Sequence, residues 1–264
     1  MSSIYVGCAG YSYDDWVGSF YPEGVPKGRR LEAYAHRFSF VELNFSYYAM
    51  PKATHLADMA ESVPDAFQFS IKAHGSLTHE RTADWRRRTN TFAEALPGLG
   101  AKLAGVLLQF PYSFHYTETN RLYLADLTTE MREALLPASP RLFVEFRNRE
   151  WDRRSVLSGM EARRLHRVLV DAPALKELPA SITGNETLPT NSGYLRLHGR
   201  NAETWWSGTN VTRYAYDYSA EELKGVATTL ERLAPQEIFV VFNNHANARA
   251  PLNALELLKL IEVE

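Results

Sequence analysis

The sequence predicts a TIM-type (β/α)8 barrel with an irregular sixth β/α unit. Three observations lead there. Eight short runs rich in Val, Ile, Leu and Phe are spaced along the chain, and helix-length segments separate most of them. The runs are nearly continuous in apolar residues, the mark of a parallel sheet covered on both faces rather than a sandwich with one wet side. The length, 264 residues, suits one such barrel.

The strands are expected at 4–8, 40–44, 67–72, 105–109, 142–146, 168–171, 194–198 and 238–243, most of them bounded by Gly, Pro or Asn. Helical segments are expected at 30–38, 54–62, 84–96, 118–136 and 153–166, each following a strand. Ser219 and Glu222 have the spacing of a capping box, in which each side chain bonds the other's backbone N–H, and open a helix to about 233. Pro251 suits the first turn of a final helix, where its missing N–H costs nothing. Between Asp171 and Gly193 three prolines and the lack of a helical period predict a loop with at most a short helix. No Ser/Gly linker or break in composition divides the chain, so residues 1–264 are read as a single domain.

Composition narrows the setting. A hydrophobic content of 45% with 23% charged residues is ordinary for a globular chain, and the net charge of -2 supplies no global field for nucleic acid. Arginine clusters at 29–30, 86–88, 153–154 and 163–164 fall mostly on helices, where charge runs are usually solvated faces. The lone Cys8 excludes an internal disulfide framework and a Cys-rich zinc site. No basic region leads into a long apolar stretch, and no run is long enough to span a bilayer, so the expected location is the cytoplasm with no membrane partner.

The apolar runs end in polar residues two positions apart: Glu42 and Asn44, Lys72 and His74, Glu145 and Arg147, Arg196 and His198, Asn243 and His245. Residues at i and i+2 of a strand share a face. Two further runs end in a single such residue, Gln109 and Asp171. In a barrel these ends converge on the C-terminal face, where the chemistry of such folds sits. Burying so many charges requires pairs, water or a ligand. A self-satisfied ion-pair plug is the bland alternative to an active site.

Chemistry assigns the roles. Glu145 and Asp171 are the best general acid/base pair, and His198, with an ordinary pKa nearest neutrality, the best proton shuttle. Arg147, Arg196 and Lys72 would hold a phosphate or carboxylate. Lys72 has a second and weaker reading, Schiff-base formation, should neighbouring positive charge lower its pKa. Asn44, Gln109 and Asn243 would orient the substrate, with Glu42, His245, Tyr11 and Trp16 beside it. The loops add aromatic rings at 11–21, Tyr47, Tyr48, Trp151, Trp205, Trp206, Tyr214, Tyr216 and Tyr218, suited to a sugar ring or a nucleobase. Glu145, Asp171, His198 and His245 also have the ligand types of a divalent metal, but cationic neighbours oppose one and no HExxH-like spacing occurs, so no cofactor is expected. Cys8 as a nucleophile is weaker still, since a buried lone Cys usually acts as a small hydrophobe. There is no GxGxxG after a strand, no P-loop and no GxSxG elbow.

The opening Gly7-Cys8-Ala9-Gly10-Tyr11-Ser12-Tyr13-Asp14-Asp15-Trp16, with Phe20-Tyr21-Pro22 and Val41-Glu42-Leu43-Asn44, resembles the YecE-like, or DUF72, family. So do Phe69-Ser70-Ile71-Lys72-Ala73, Leu107-Leu108-Gln109-Phe110-Pro111, Val144-Glu145-Phe146-Arg147, Arg196-Leu197-His198-Gly199 and Val241-Phe242-Asn243-Asn244. The match runs over essentially the whole chain and implies a TIM-barrel-like fold of uncharacterised function. A fold does not fix a reaction. The expected function is therefore read from the residues: acid/base chemistry on a small polar or anionic substrate, sugar-like or phosphorylated, at the barrel's C-terminal face. The alternative is a non-catalytic binder of a nucleotide or nucleic acid, with nucleic acid disfavoured by the charge.

Overall fold

Eight parallel strands form one sheet in the order β1-β8-β7-β6-β5-β4-β3-β2 in a computed structural model that describes residues 3–183 and 185–262. The strands are β1 (Ser3–Cys8), β2 (Phe40–Leu43), β3 (Gln68–Lys72), β4 (Leu103–Phe110), β5 (Arg141–Phe146), β6 (His166–Asp171), β7 (Ser192–Leu197) and β8 (Glu237–Phe242). All eight apolar runs are strands, and β1 pairs with β8, so the sheet curls into a nearly closed barrel. The connection from Asp171 to Gly193 carries no helix among the described residues, as its prolines predicted. The capping box is formed: Glu222 N–H donates to Ser219 Oγ at 3.3 Å and Ser219 N–H to Glu222 Oε2 at 2.8 Å, opening helix Ala220–Leu233. The helix expected over 153–166 stops at Ala162, because Arg164 takes a left-handed backbone (φ 51°) that ends it and lets β6 begin at His166. No helix among the described residues is long and apolar enough to cross a membrane.

Apolar packing falls into two main bodies. The larger lies between the strands and their covering helices; the smaller fills the barrel. Within the barrel Tyr5 stacks on Phe239 (5.0 Å between centroids), Phe40 leans on Phe239 (4.9 Å) and Phe143 on Tyr194 (4.5 Å). Five rings thus plug the lower barrel, leaving its upper end for polar groups.

The closure between β1 and β2 is not an ordinary ladder. Among the described residues only an Ala9–Glu42 bridge joins them directly, with Gly10 N–H donating to the Glu42 carbonyl at 2.8 Å. One step lower, the Tyr34 hydroxyl takes the Cys8 N–H at 2.8 Å and donates to the Phe40 carbonyl at 3.0 Å. A Cβ at Gly7 would sit 2.1 Å from that same carbonyl, so only glycine allows the strands to approach this closely. Tyr34→Phe would orphan a fully buried donor and acceptor, each costing roughly 1–3 kcal/mol. The expected loss is about 3 kcal/mol, seen as a melting temperature lower by roughly 5–10 °C. A loss under about 1 kcal/mol would show that the phenol is not what holds the seam.

Candidate functional site

Strand parity sets the site. Residues 143, 145 and 147 point into the barrel from β5 and its extension, as do 194, 196 and 198 from β7, continuing the faces of the buried rings of Phe143 and Tyr194. The first polar layer above the ring plug is a bridged ion network. Arg196 donates from Nη1 to Glu145 Oε2 at 2.6 Å and from Nη2 to Glu42 Oε1 at 2.7 Å. Tyr194 donates to Glu42 Oε2 at 2.8 Å and is itself 2.7 Å from Ser70 Oγ. Arg147 Nε bonds Glu145 Oε1, and His198 Nε2 lies 3.1 Å from the same oxygen. Both carboxylates and Arg196 are buried.

This network settles the electrostatics of its members. Burial alone would raise the Glu145 pKa, but Arg147, Arg196 and His198 outweigh it and hold the carboxyl well below its usual range. Burial, with Arg147 adding to it, pushes His198 down to about 3. His198 is therefore a neutral ring: Asn243 Nδ2 lies 3.1 Å from Nδ1, which accepts, leaving Nε2–H to donate to Glu145. With Glu145 held below its usual range and His198 lowered to about 3, the two favour an ionised carboxylate bonded to a neutral imidazole near neutral pH.

Asp171 is elsewhere. Val168 and Val170 belong to the barrel interior, so Asp171 faces outward. There it is saturated by Ser181 Oγ (2.6 Å), Tyr218 OH (2.7 Å) and the Arg200 guanidinium (2.9–3.1 Å). Arg200 reaches on to Glu222 at 2.9 Å, so Asp171 fastens the loop after β7 to the next helix. Gly199 makes that turn with φ 81°, and a Cβ there would strike Tyr216 at 2.4 Å. The expected Glu145–Asp171 pair is split between two faces of the sheet.

Above the network opens a cavity of about 490 Å³. Asn44, Lys72, Gln109, Arg147, Arg196, Asn243 and His245 line it, all from the strand ends or their first loop residues. Tyr13, Tyr47, Tyr48, Trp205, Trp206 and Tyr214 supply its rings, and Arg213 and His79 join from loops. Tyr11, Trp16 and Glu42 do not line it. Trp16 is wholly buried and donates its indole N–H to the His245 carbonyl at 2.8 Å, locking the β1 loop to the β8 loop. Tyr13 stacks on the His245 ring at 4.8 Å. Tyr11 packs against the core, its carbonyl accepting from Tyr21 OH at 2.6 Å. Trp151 stacks on Phe146 and Phe114. Tyr216 and Tyr218 stay with the Asp171 cluster. His74 caps a short helix, its Nδ1 accepting from Ser76 N–H at 3.2 Å.

Among the titratable groups that line the cavity, Lys72 and Tyr214 have pKa values displaced toward neutrality. Burial, then Arg196 and Arg147, pull Lys72 down to about 7 against the opposing pull of Glu42 and Glu145. Its ammonium lies over the Tyr47 ring at 4.3 Å. Burial would raise the Tyr214 phenol, yet Arg147 and Arg196 draw it below its ordinary value. In the sequence Tyr214 is legible only as a ring, and Arg213 and His79 carry no mark of a cavity residue; nothing in a loop's residue spacing marks which side chain folds back over a barrel mouth. Arg196 Nε, Arg213 Nε and Asn44 Oδ1 are buried without a protein partner. No group of three or more His, Cys, Asp or Glu among the described residues is arranged to hold a metal ion. Burial drives the Cys8 thiol pKa upward, away from thiolate chemistry.

The family model described as "Protein of unknown function DUF72" matches residues 5–264. The UPF0759 protein YunF of Bacillus subtilis is 31% identical, covering 99% of this chain and 95% of its own length. A crystal structure of a DUF72 family protein from Thermotoga maritima superposes with a TM-score of 0.86 at 33% identity, over 98% of this chain and 99% of that one. A second, from Enterococcus faecalis, gives 0.83 at 24% identity over 99% and 96% of the two chains, a likeness of fold.

Proposed function

This chain belongs to the DUF72 family, proteins of unknown function, and from that premise we propose, on its own geometry, that it is an enzyme moving a proton on a small anionic substrate, with Lys72 and Tyr214 as the acid/base pair. One observation carries the reading. The cavity wall presents Lys72, Arg147, Arg196 and Arg213 and, among the described residues, not one carboxylate. Glu42 and Glu145 lie beneath it with both oxygens engaged, so they steady the arginines without neutralising the space above. A phosphate or carboxylate would find there the side chains of Lys72, Arg147, Arg196 and Arg213.

The same cations that attract an anion prepare the chemistry. Burial, assisted by them, lowers Lys72, and they lower Tyr214 against burial, so an amine poised near neutrality and an acidified phenol line one cavity. Asn243, Gln109 and Asn44 offer amides to hydroxyl or carbonyl groups of the substrate. At the rim Tyr48 and Trp206 are 72% and 50% exposed, which supports a second reading, a nucleotide held without turnover by its phosphate and stacked ring.

Solvent deuterium exchange separates them. Sugar phosphates incubated with the protein in D2O are expected to lose a C–H signal beside their carbonyl, and Lys72→Met and Tyr214→Phe each to slow that loss at least about a hundredfold. Lys72→Met is also expected to weaken phosphate binding by about tenfold at pH 6, with little difference at pH 9 where the wild-type amine is neutral too. Tight binding of nucleoside monophosphates with no exchange in any sugar phosphate would establish the second reading; absence of any anion binding would sink both.

A further inference from the structure

We propose that Lys72 is a covalent nucleophile, forming a Schiff base with aldehydes or ketones that carry a phosphate or carboxylate. The inference rests on the anion-binding reading above and extends it to a substrate class.

The geometry has three parts. The Lys72 amine opens into the cavity at the end of β3, while its backbone carbonyl is tied by Ser46 Oγ at 2.5 Å, so the stem that carries it is anchored. Among the described residues no carboxylate forms an ion pair with it, because Glu42 is occupied by Arg196 and Tyr194, and Glu145 by Arg196, Arg147 and His198. Burial, with Arg196 and Arg147 nearby, disfavours a charged ammonium against the pull of Glu42, Glu145 and the Tyr47 ring face, and leaves a free amine to react. The two arginines raise the cost of a charged Lys72 and serve again as the clamp for the substrate's anionic end.

The step balances without an oxidant or reductant. The neutral Nζ attacks the carbonyl carbon, a C–N bond forms, and the former carbonyl oxygen takes the proton released by nitrogen, giving a carbinolamine. The hydroxyl then leaves as water, taking a proton from the Tyr214 phenol, and nitrogen's lone pair closes the C=N bond. The iminium so formed acidifies the neighbouring C–H, whose proton the Tyr214 phenolate can accept. This is the same proton movement that the exchange experiment reads.

The test is reductive trapping on the full chain with cyanoborohydride, followed by peptide mass mapping. Pyridoxal 5′-phosphate and dihydroxyacetone phosphate serve as carbonyl probes bearing phosphate. The expected result is a reduced adduct on Lys72, formed roughly tenfold or more faster than on exposed lysines such as Lys27 and Lys52, and suppressed by inorganic phosphate. Lys72→Arg should keep phosphate binding while losing the adduct. Adducts confined to exposed lysines, with phosphate still bound, would overturn the covalent role and leave the anion site standing. Labelling of Lys72 by pyridoxal as fast as by its phosphate, with no phosphate binding, would instead overturn the anionic substrate class.

Discussion

Arg196→Met is expected to lower the unfolding free energy by about 3–5 kcal/mol and the melting temperature by roughly 10 °C. Arg196 is 2% exposed and bridges two buried carboxylates, Glu145 at 2.6 Å and Glu42 at 2.7 Å. Without it two like charges remain in a buried layer above the aromatic plug. Arg147 still compensates Glu145, but among the described residues no cation pairs with Glu42, which keeps only the Tyr194 hydroxyl. The cost is thus that of an uncompensated buried charge, which exceeds the net worth of the original pair. The triple variant Arg196→Met, Glu42→Gln, Glu145→Gln separates these quantities. It should regain more than half of the loss, because a neutral layer needs no counterion. Urea melts of the three proteins decide it: a single variant within about 1 kcal/mol of wild type would mean that water or rearrangement rescues Glu42.

The barrel was legible because its strands are short, apolar and evenly spaced, and because the polar residues at their ends occur in pairs. Where two polar residues stand at i and i+2, as at 145 and 147 or 196 and 198, both the face and the end of the strand are marked. A single terminal residue marks the end alone. Gln109 proved to face the cavity, whereas Asp171 faces the helices, and nothing in the run before Asp171 shows which way its parity falls. The aromatic loops posed the same difficulty in a harder form. Trp16 and Trp205 are both buried, but Trp16 pins a loop from behind and Trp205 stands in the cavity wall under Arg147. That distinction is made by tertiary contacts such as the bond from Trp16 to a carbonyl 229 positions away. Glu145 and His198 have the right residue types for proton transfer, but a pKa belongs to a site: Arg147 beside Glu145 on the extension of its own strand was visible, whereas Arg196 and His198 reach Glu145 from β7.

Acid should unfold this protein from an unusually high starting point. Between about pH 6.5 and 4 the stability is expected to fall by roughly 2–3 kcal/mol per pH unit. Burial pushes His198 down to about 3 and His79 to about 4, in both cases with arginine or lysine charge assisting. The unfolded chain takes up a proton at each of these positions near 6.5, while the folded chain does not until the pH nears the lower values. The stability is therefore fully present above about pH 6.5 and is lost as pH falls, each ring contributing up to about 1.4 kcal/mol per unit across its window, the less buried His79 somewhat less. Two units of descent come to about 4–5 kcal/mol, a large share of the 5–15 typical of a folded domain. The depressed Glu145 carboxyl works in the same direction but later: its contribution is intact above the unfolded value near 4.5 and fades only below it. Onset distinguishes the causes. Urea melts at stepped pH should show the decline beginning near 6.5, and His198→Gln should flatten the slope above 4.5 by about 1.4 kcal/mol per unit despite a lower stability at pH 8. A wild-type stability unchanged between pH 7 and 5 would mean that these rings are protonated in the fold, and the neutral His198 that donates to Glu145 would have to be abandoned with them.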